Sequence, residues 1–322
     1  MYFLGVESGG TKTTAILVDA QKGIPVRSMV FPPGNIAVIG KEKTSELIDE
    51  ILSALDVKSK LHKIAWSTFA LAGAGREEEN RNAREIIKAN GIERFSLMTD
   101  AEILNYAIFA DEPGILLASG TGSICVFKDS ENKYRRKGGW GYLLGDEGSG
   151  FDIGKKAIQA AIAEAESGKQ SSELTRNLFR FYKIDKPAEL ITLVYATENP
   201  QNKIASCAKL VSELAEAAEP NAVAIIDSAV DALLLLADKA IVESGFPAPY
   251  KIALAGSALT ESSIVNKKFR EQARRKGIPF EYLQQEIHAA AAAVLFSIRT
   301  SGQAVHNELK DRLKQVTFEG RG

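Results

Sequence analysis

Of its 322 residues only two are cysteines, Cys125 and Cys207, far apart in sequence. That excludes a disulfide framework and every cysteine-based zinc pattern. The three histidines, His62, His288 and His306, show no ligand spacing. His288 reads as packing at a helix start. No apolar run approaches the roughly 20 residues a membrane span needs. The net charge is −1, so nothing electrostatic favours nucleic acid or an anionic membrane. The chain opens on a strand-like run with no basic n-region or signal core. The expectation is a cytosolic protein with neither nucleic-acid nor membrane partner.

What is present is a globular composition, 45% hydrophobic and 25% charged, in a chain long enough for two domains. The most informative stretch lies at the start. Tyr2-Phe3-Leu4 leads into Gly5-Val6-Glu7-Ser8-Gly9-Gly10-Thr11-Lys12-Thr13-Thr14, and Ala15–Val18 leads out. Two strands around a Gly/Thr turn form a hairpin. Glycines let backbone N–H groups approach a ligand, and successive N–H groups make an anion site. Thr11 and Thr13 add hydroxyls and Lys12 adds charge. Glu7 fits beside a phosphate if a divalent cation bridges them. The reading is a phosphate loop for Mg-ATP, with a plain Gly-rich hairpin as the alternative. A Walker loop fits less well, because Thr11 stands where its Lys belongs and a strand follows instead of a helix.

Pro32-Pro33-Gly34-Asn35 ends a third strand, and the Asn35 amide could both donate to and accept from a polyol. Helices are expected over Ile39–Leu55 and Glu77–Asn90, and a strand over Ile64–Leu71 that runs into Ala72-Gly73-Ala74-Gly75. Asp100 follows the short strand Phe95–Met98 and precedes a helix, Glu102–Ala110. Ligands gather at that edge of α/β sheets, although Asp is also a common helix N-cap.

Asp111–Gly114 looks like a hinge. Beyond it the opening pattern returns. A strand, Ile115–Ala118, runs into Ser119-Gly120-Thr121-Gly122-Ser123 and out through Ile124–Lys128, which suggests a duplicated fold. Six of the thirteen residues 138–150 are glycine, too many for a regular element. In that loop Trp140 could stack on a sugar face or pack, and Asp146 and Glu147 could bind hydroxyls or metal-bound water. Phe151 to about Val242 is helical. Lys251–Ala255 is a strand ending in Gly256-Ser257, and Pro279–Leu283 a last one. The tail from Asn307 is expected to be helical, with Glu319–Gly322 frayed.

These loops, in this order and over essentially the whole chain, resemble the BadF/BadG/BcrA/BcrD-type ATPases and the eukaryotic-type N-acetylglucosamine kinases of the actin/Hsp70/sugar-kinase superfamily. The resemblance implies an α/β protein with two RNase-H-like (actin-like ATPase) domains flanking a central cleft. Their spans would be 1–112 and 113–322, the second with a helical insertion and a terminal helix able to pack back on the first. It implies ATP and Mg²⁺ as cofactors, a small sugar as substrate and a homodimer as a possible assembly. Gly9, Gly10, Thr11 and Lys12, with Gly120, Thr121 and Gly122, would hold phosphates. Gly256 and Ser257 would lie on the adenosine side. Asn35, Asp100, Ser123, Gly139, Trp140, Gly141 and Asp146 would contact the sugar, and Glu7 would hold Mg²⁺ through water. Asp100 would be the catalytic base. The expected reaction is phosphorylation of an amino sugar, N-acetylglucosamine at its 6-hydroxyl, with glucosamine, N-acetylmuramate and glucose open as acceptors. Ile124 departs from the pattern, standing where the kinases have a substrate-contacting Asn, and so does the 72–75 loop. A dehydratase-activating ATPase is disfavoured because Cys125 and Cys207 lack cluster spacing. A non-catalytic sugar sensor is disfavoured because Asp100 is present.

Overall fold

The computed structural model describes residues 1–168, 170–260 and 263–320. The chain forms two compact units, Met1–Glu112 with Gln284–Gly322, and Pro113–Leu283. The expected second domain, 113–322, therefore ends earlier, at Leu283.

In the first unit β1 (Tyr2–Ser8), β2 (Thr13–Asp19) and β3 (Ile24–Phe31) form an antiparallel meander. Helix α1 (Ile36–Ala54) leads to β4 (Ile64–Leu71), which lies parallel to β1, and α2 (Glu77–Ala89) leads to β5 (Phe95–Met98), parallel to β4. Helix α3 (Asp100–Phe109) closes this half. α1 starts earlier than its apolar spacing suggests, with Gly40 as a non-helical break inside it. β1 is buried on both faces, which is why it reads as one apolar run. Leu4 and Val6 join the core built with α1 and α2.

In the second unit β6 (Ile115–Ser119), β7 (Ser123–Lys128) and β8 (Tyr134–Gly138) form the next meander. A helical stretch follows: α4 (Gly150–Glu166), α5 (Glu173–Tyr182), α6 (Glu189–Tyr195), α7 (Pro200–Ala205), α8 (Ala208–Glu216) and α9 (Pro220–Ser244). β9 (Tyr250–Ala255) lies parallel to β6, and after α10 (Ser257–Thr260) and α11 (Ser263–Arg275), β10 (Phe280–Leu283) lies parallel to β9. β8, with its charged Arg135-Arg136-Lys137, was not expected as a strand. It is an edge strand, where cations are favoured. Leu117, Cys125 and Phe127 pack with α9 side chains such as Ile226, Val230 and Leu233. The sheet orders β3-β2-β1-β4-β5 and β8-β7-β6-β9-β10 match position for position, so the repeated strand–loop–strand pattern is a repeat of topology.

The chain then supplies α12 (Ala289–Thr300), α13 (Asn307–Lys314) and β11 (Glu319–Gly320) to the first unit. α12 packs on β1, β4 and β2. Its Ala289–Ala293 run lets the backbones come so close that a Cβ at Gly5 would collide with the Ala290 carbonyl oxygen. Ser297 Oγ donates to the Ala293 carbonyl, a normal i−4 back-bond, and lies 2.7 Å from Thr68 Oγ1. Of the tail expected to fray, Glu319–Gly320 pairs with β3 instead, because Ser28 Oγ donates to Thr317 O and Phe318 packs on His288. Residues 321 and 322 lie outside the described residues. No described helix is long and apolar enough to cross a membrane.

Candidate active site

In the first unit the candidate residues gather at the β1–β2 turn. Gly9 N–H donates to the Lys12 carbonyl at 2.9 Å, and the Ser8 and Thr13 hydroxyls meet at 2.7 Å, closing the neck. The tip, Gly10 to Lys12, is exposed. Neither Gly9 nor Gly10 has a positive φ. A Cβ at Gly10 would meet nothing within 4 Å, and one at Gly9 would crowd Glu7 Oε1 at 3.3 Å. Nothing in the hairpin itself demands glycine at position 10. Its bare backbone is what a ligand would approach.

Glu7 is held by Thr14, whose Oγ1 donates to Oε2 at 2.9 Å. Burial raises its pKa; the Thr14 bond opposes this, the Asp100 charge adds to it and the Lys12 charge opposes it. Asp100 is likewise raised by burial, against hydrogen bonds from its own amide and that of Ala101. Asp100 is not the helix cap. Thr99 caps α3, accepting from Glu102 N–H, while Glu102 Oε2 accepts from Thr99 N–H. This capping box, legible in the sequence as Thr-x-x-Glu, fixes Asp100 as the first helical residue; Thr99 and Glu102 cap, and the Asp100 carboxylate takes the first-turn amides of Asp100 and Ala101. Asn35 does cap, its Oδ1 accepting from Ala37 N–H at 3.0 Å. One Oδ1 lone pair is thus committed to α1, and the Nδ2 donors are the groups it has to offer a ligand first. His288 caps α12 through Nδ1, and burial, with Lys12 adding, lowers its pKa to about 4, so it is neutral and packs as expected.

Among the described residues no three His, Cys, Asp or Glu side chains cluster as a metal cage. Glu7 and Asp100, half-buried carboxylates with the Asp100 charge adding to the cost of ionising Glu7, suit a Mg²⁺ held by one or two carboxylates, water and phosphate oxygens.

The second unit stitches its turn to the glycine loop. Ser119 Oγ donates to Gly148 O, Ser123 Oγ to Glu147 O, and Gly150 N–H to Gly120 O. Asp146, buried and with φ 62°, accepts from the Ser123 and Gly141 amides; burial raises its pKa against those bonds. A Cβ at Gly122 would lie 2.5 Å from its Oδ2. Ser123 and Asp146, both expected to contact sugar, thus each commit bonds to the loop. Trp140 is 62% exposed, with the Arg136 guanidinium 4.6 Å from its ring centre. Arg136 also donates to the Gly138 and Gly139 carbonyls. Ile124 underlies Gly139, where a Cβ would come within 2.7 Å of its Cδ1; the chain uses this position for packing.

Gly120 and Thr121 line a cavity of about 510 Å³ together with Ser257 and the α8 residues Lys209, Ser212 and Glu213. That is ample for a nucleoside. Gly256, φ 84°, brings Ser257 to this wall. The α8 wall was not foreseen; a polar stripe at i, i+3, i+4 is indistinguishable from a solvated face before the fold is known.

A kinase for N-acetylmuramic acid and N-acetylglucosamine from Clostridium acetobutylicum is 29% identical over 283 residues, 84% of this chain and 89% of that protein. The N-acetyl-D-glucosamine kinase of Dictyostelium discoideum is 25% identical, covering 88% and 92%. A Chromobacterium violaceum structure provisionally assigned as an N-acetylglucosamine kinase superposes with a TM-score of 0.72 at 25% identity, over 91% of this chain and 98% of that one. A ROK-family glucokinase of Streptomyces griseus, at TM-score 0.52 and 17% identity over 93% and 100%, shares the fold. The fold is the α/β fold of actin-like ATPases and sugar kinases, and the match to the family model over residues 4–297 shows that the chain belongs to the BadF/BadG/BcrA/BcrD ATPase family.

Proposed function

We propose that the protein transfers the γ-phosphoryl group of ATP to the 6-hydroxyl of an N-acetylated amino sugar, N-acetylglucosamine in the first instance. The observation that carries this is Asp100, placed by the Thr99–Glu102 box as the first residue of α3 and not its cap, and set electrostatically against Glu7 beside the first glycine turn. Asp100 accepts the hydroxyl proton as the sugar oxygen attacks. Mg²⁺ bound with the nucleotide would neutralise charge on the phosphate oxygens, with Glu7 and its water as the protein's contribution. Backbone amides of Gly9–Lys12 and Gly120–Gly122 steady the phosphates, and the 510 Å³ cavity takes the nucleoside. Asn35 Nδ2, Gly139, Trp140 and Gly141 serve the sugar. Coupled ADP release over a panel of sugars tests this: sugar-dependent turnover with N-acetylglucosamine is expected, and ATP hydrolysis indifferent to every sugar would make a sugar-independent ATPase the better reading.

The acid limb of the pH–rate profile gives a second check. The base must be ionised, so turnover falls as pH drops through its pKa. Burial raises that pKa, so the loss is expected to set in at higher pH than for an ordinary aspartate. A kcat/KM limb at the ordinary aspartate value would remove Asp100 from the base role.

A further inference from the structure

The loop from Ala72 to Gly75 departs from the kinase pattern, and the structure shows what it borders. Ala72 N–H donates to Ser8 O at 2.8 Å and Ala72 O accepts from Ile36 N–H at 3.1 Å, tying the loop to the end of β1 and the start of α1. Gly73 lies against Asn35, its added Cβ falling 2.5 Å from Oδ1, and Gly75 against Thr99, with 3.2 Å to Cγ2. Asn80 Nδ2 donates to Ala74 O and holds the far side. The loop is thus wedged between Asn35 and the residue preceding Asp100, the two groups assigned to the acceptor sugar. It leads into Arg76.

From Gly75 an open groove of about 600 Å³ runs outward past Arg76, Arg81, Arg84 and Lys88, with Glu77 and Glu85 on its walls. Glu85 is paired with Lys41 at 2.6 Å, and Arg84 is committed to Asn80 Oδ1 and the Phe95 ring. Arg76 makes one long contact, 3.5 Å to Glu79, and its side chain is 65% exposed. It lacks a side-chain capping bond to α2. Cations therefore outnumber acids along the lining of a groove that opens beside the sugar-side residues, and a guanidinium with one long contact sits at its inner end. A guanidinium recognises a carboxylate through two parallel N–H···O bonds.

We propose that Arg76 is the specificity residue for an acidic acceptor, an N-acetylhexosamine bearing a carboxylate on an ether substituent, with the 75–88 groove taking that substituent. This rests on the kinase reading above. The reaction is unchanged; Arg76 touches only the substituent.

The test uses the full-length protein with N-acetylglucosamine, N-acetylmuramate and uncharged 3-O-methyl-N-acetylglucosamine as acceptors. Wild type is expected to phosphorylate N-acetylmuramate. Arg76→Gln is expected to lower the ratio of kcat/KM for N-acetylmuramate to that for N-acetylglucosamine by about 10-fold or more, chiefly through KM. Arg76→Lys should restore part of the ratio, and the 3-O-methyl sugar should not follow it. Wild type that uses N-acetylglucosamine but rejects N-acetylmuramate overturns the inference and leaves the kinase reading standing. So does an unchanged ratio in Arg76→Gln, or an equal loss with the 3-O-methyl sugar. Phosphorylation of no sugar overturns the kinase reading, and this inference with it.

Discussion

Asp100→Asn is expected to keep nucleotide and sugar binding within a few-fold and to lose phosphoryl transfer by about 10²-fold or more, the scale for removing a general base. The substitution is nearly isosteric, so what it tests is charge and proton affinity. The helix start is held by Thr99 and Glu102, not by Asp100, so α3 should survive. Removing the carboxylate also removes a like charge acting on Glu7 and a buried anion, so the variant should be at least as stable as wild type in thermal unfolding. An inactive variant with an unchanged or raised melting temperature and intact sugar binding in calorimetry is the expected pattern. Turnover within a few-fold of wild type would take Asp100 out of the mechanism. A lowered melting temperature would mean that its carboxylate supports the fold rather than the chemistry.

The fold was legible because its signals are local. Each of the two meanders announces itself as apolar run, Gly/Thr turn, apolar run, and β1 is a continuous apolar stretch because α12 covers the face opposite α1 and α2. β8 escaped because Tyr134-Arg135-Arg136-Lys137 carries no apolar alternation; its place at the sheet edge, beside β7, makes it a strand. β11 escaped because its pairing with β3 depends on residues almost the whole chain apart. At the candidate site the residue types were legible, but the commitments of their polar atoms were not. Asn35 Oδ1, Ser123 Oγ and the Asp146 carboxylate are each bound to backbone groups, which only the loop geometry reveals. At Thr99-Asp100-Ala101-Glu102 a four-residue capping pattern does settle which acid caps: Glu102, with Asp100 following as the first helical residue.

Gly256→Ala is expected to lower the melting temperature by about 6 to 10 °C and to weaken ADP binding by about 10-fold or more. Two costs combine. Gly256 has φ 84°, and a residue with a Cβ pays about 1–2 kcal/mol in the left-handed region. The new Cβ would also collide with the Ser119 carbonyl oxygen and lie 2.9 Å from Gly120 N. Both are backbone atoms, so no side-chain rotation relieves the overlap, and forced shifts of this kind cost about 1–3 kcal/mol. The end of β6 or the Gly256 turn must move. Gly120, Thr121 and Ser257 all line the 510 Å³ cavity, so the displacement falls on the groups assigned to the nucleotide. Gly245→Ala separates the two costs. Gly245 has φ 67° at the end of α9, but a Cβ there meets nothing within 4 Å. That variant should lose about 1–2 kcal/mol from strain alone and bind ADP as wild type does. If Gly256→Ala bound ADP as tightly as Gly245→Ala, the cavity beside Ser257 would not be the nucleotide's.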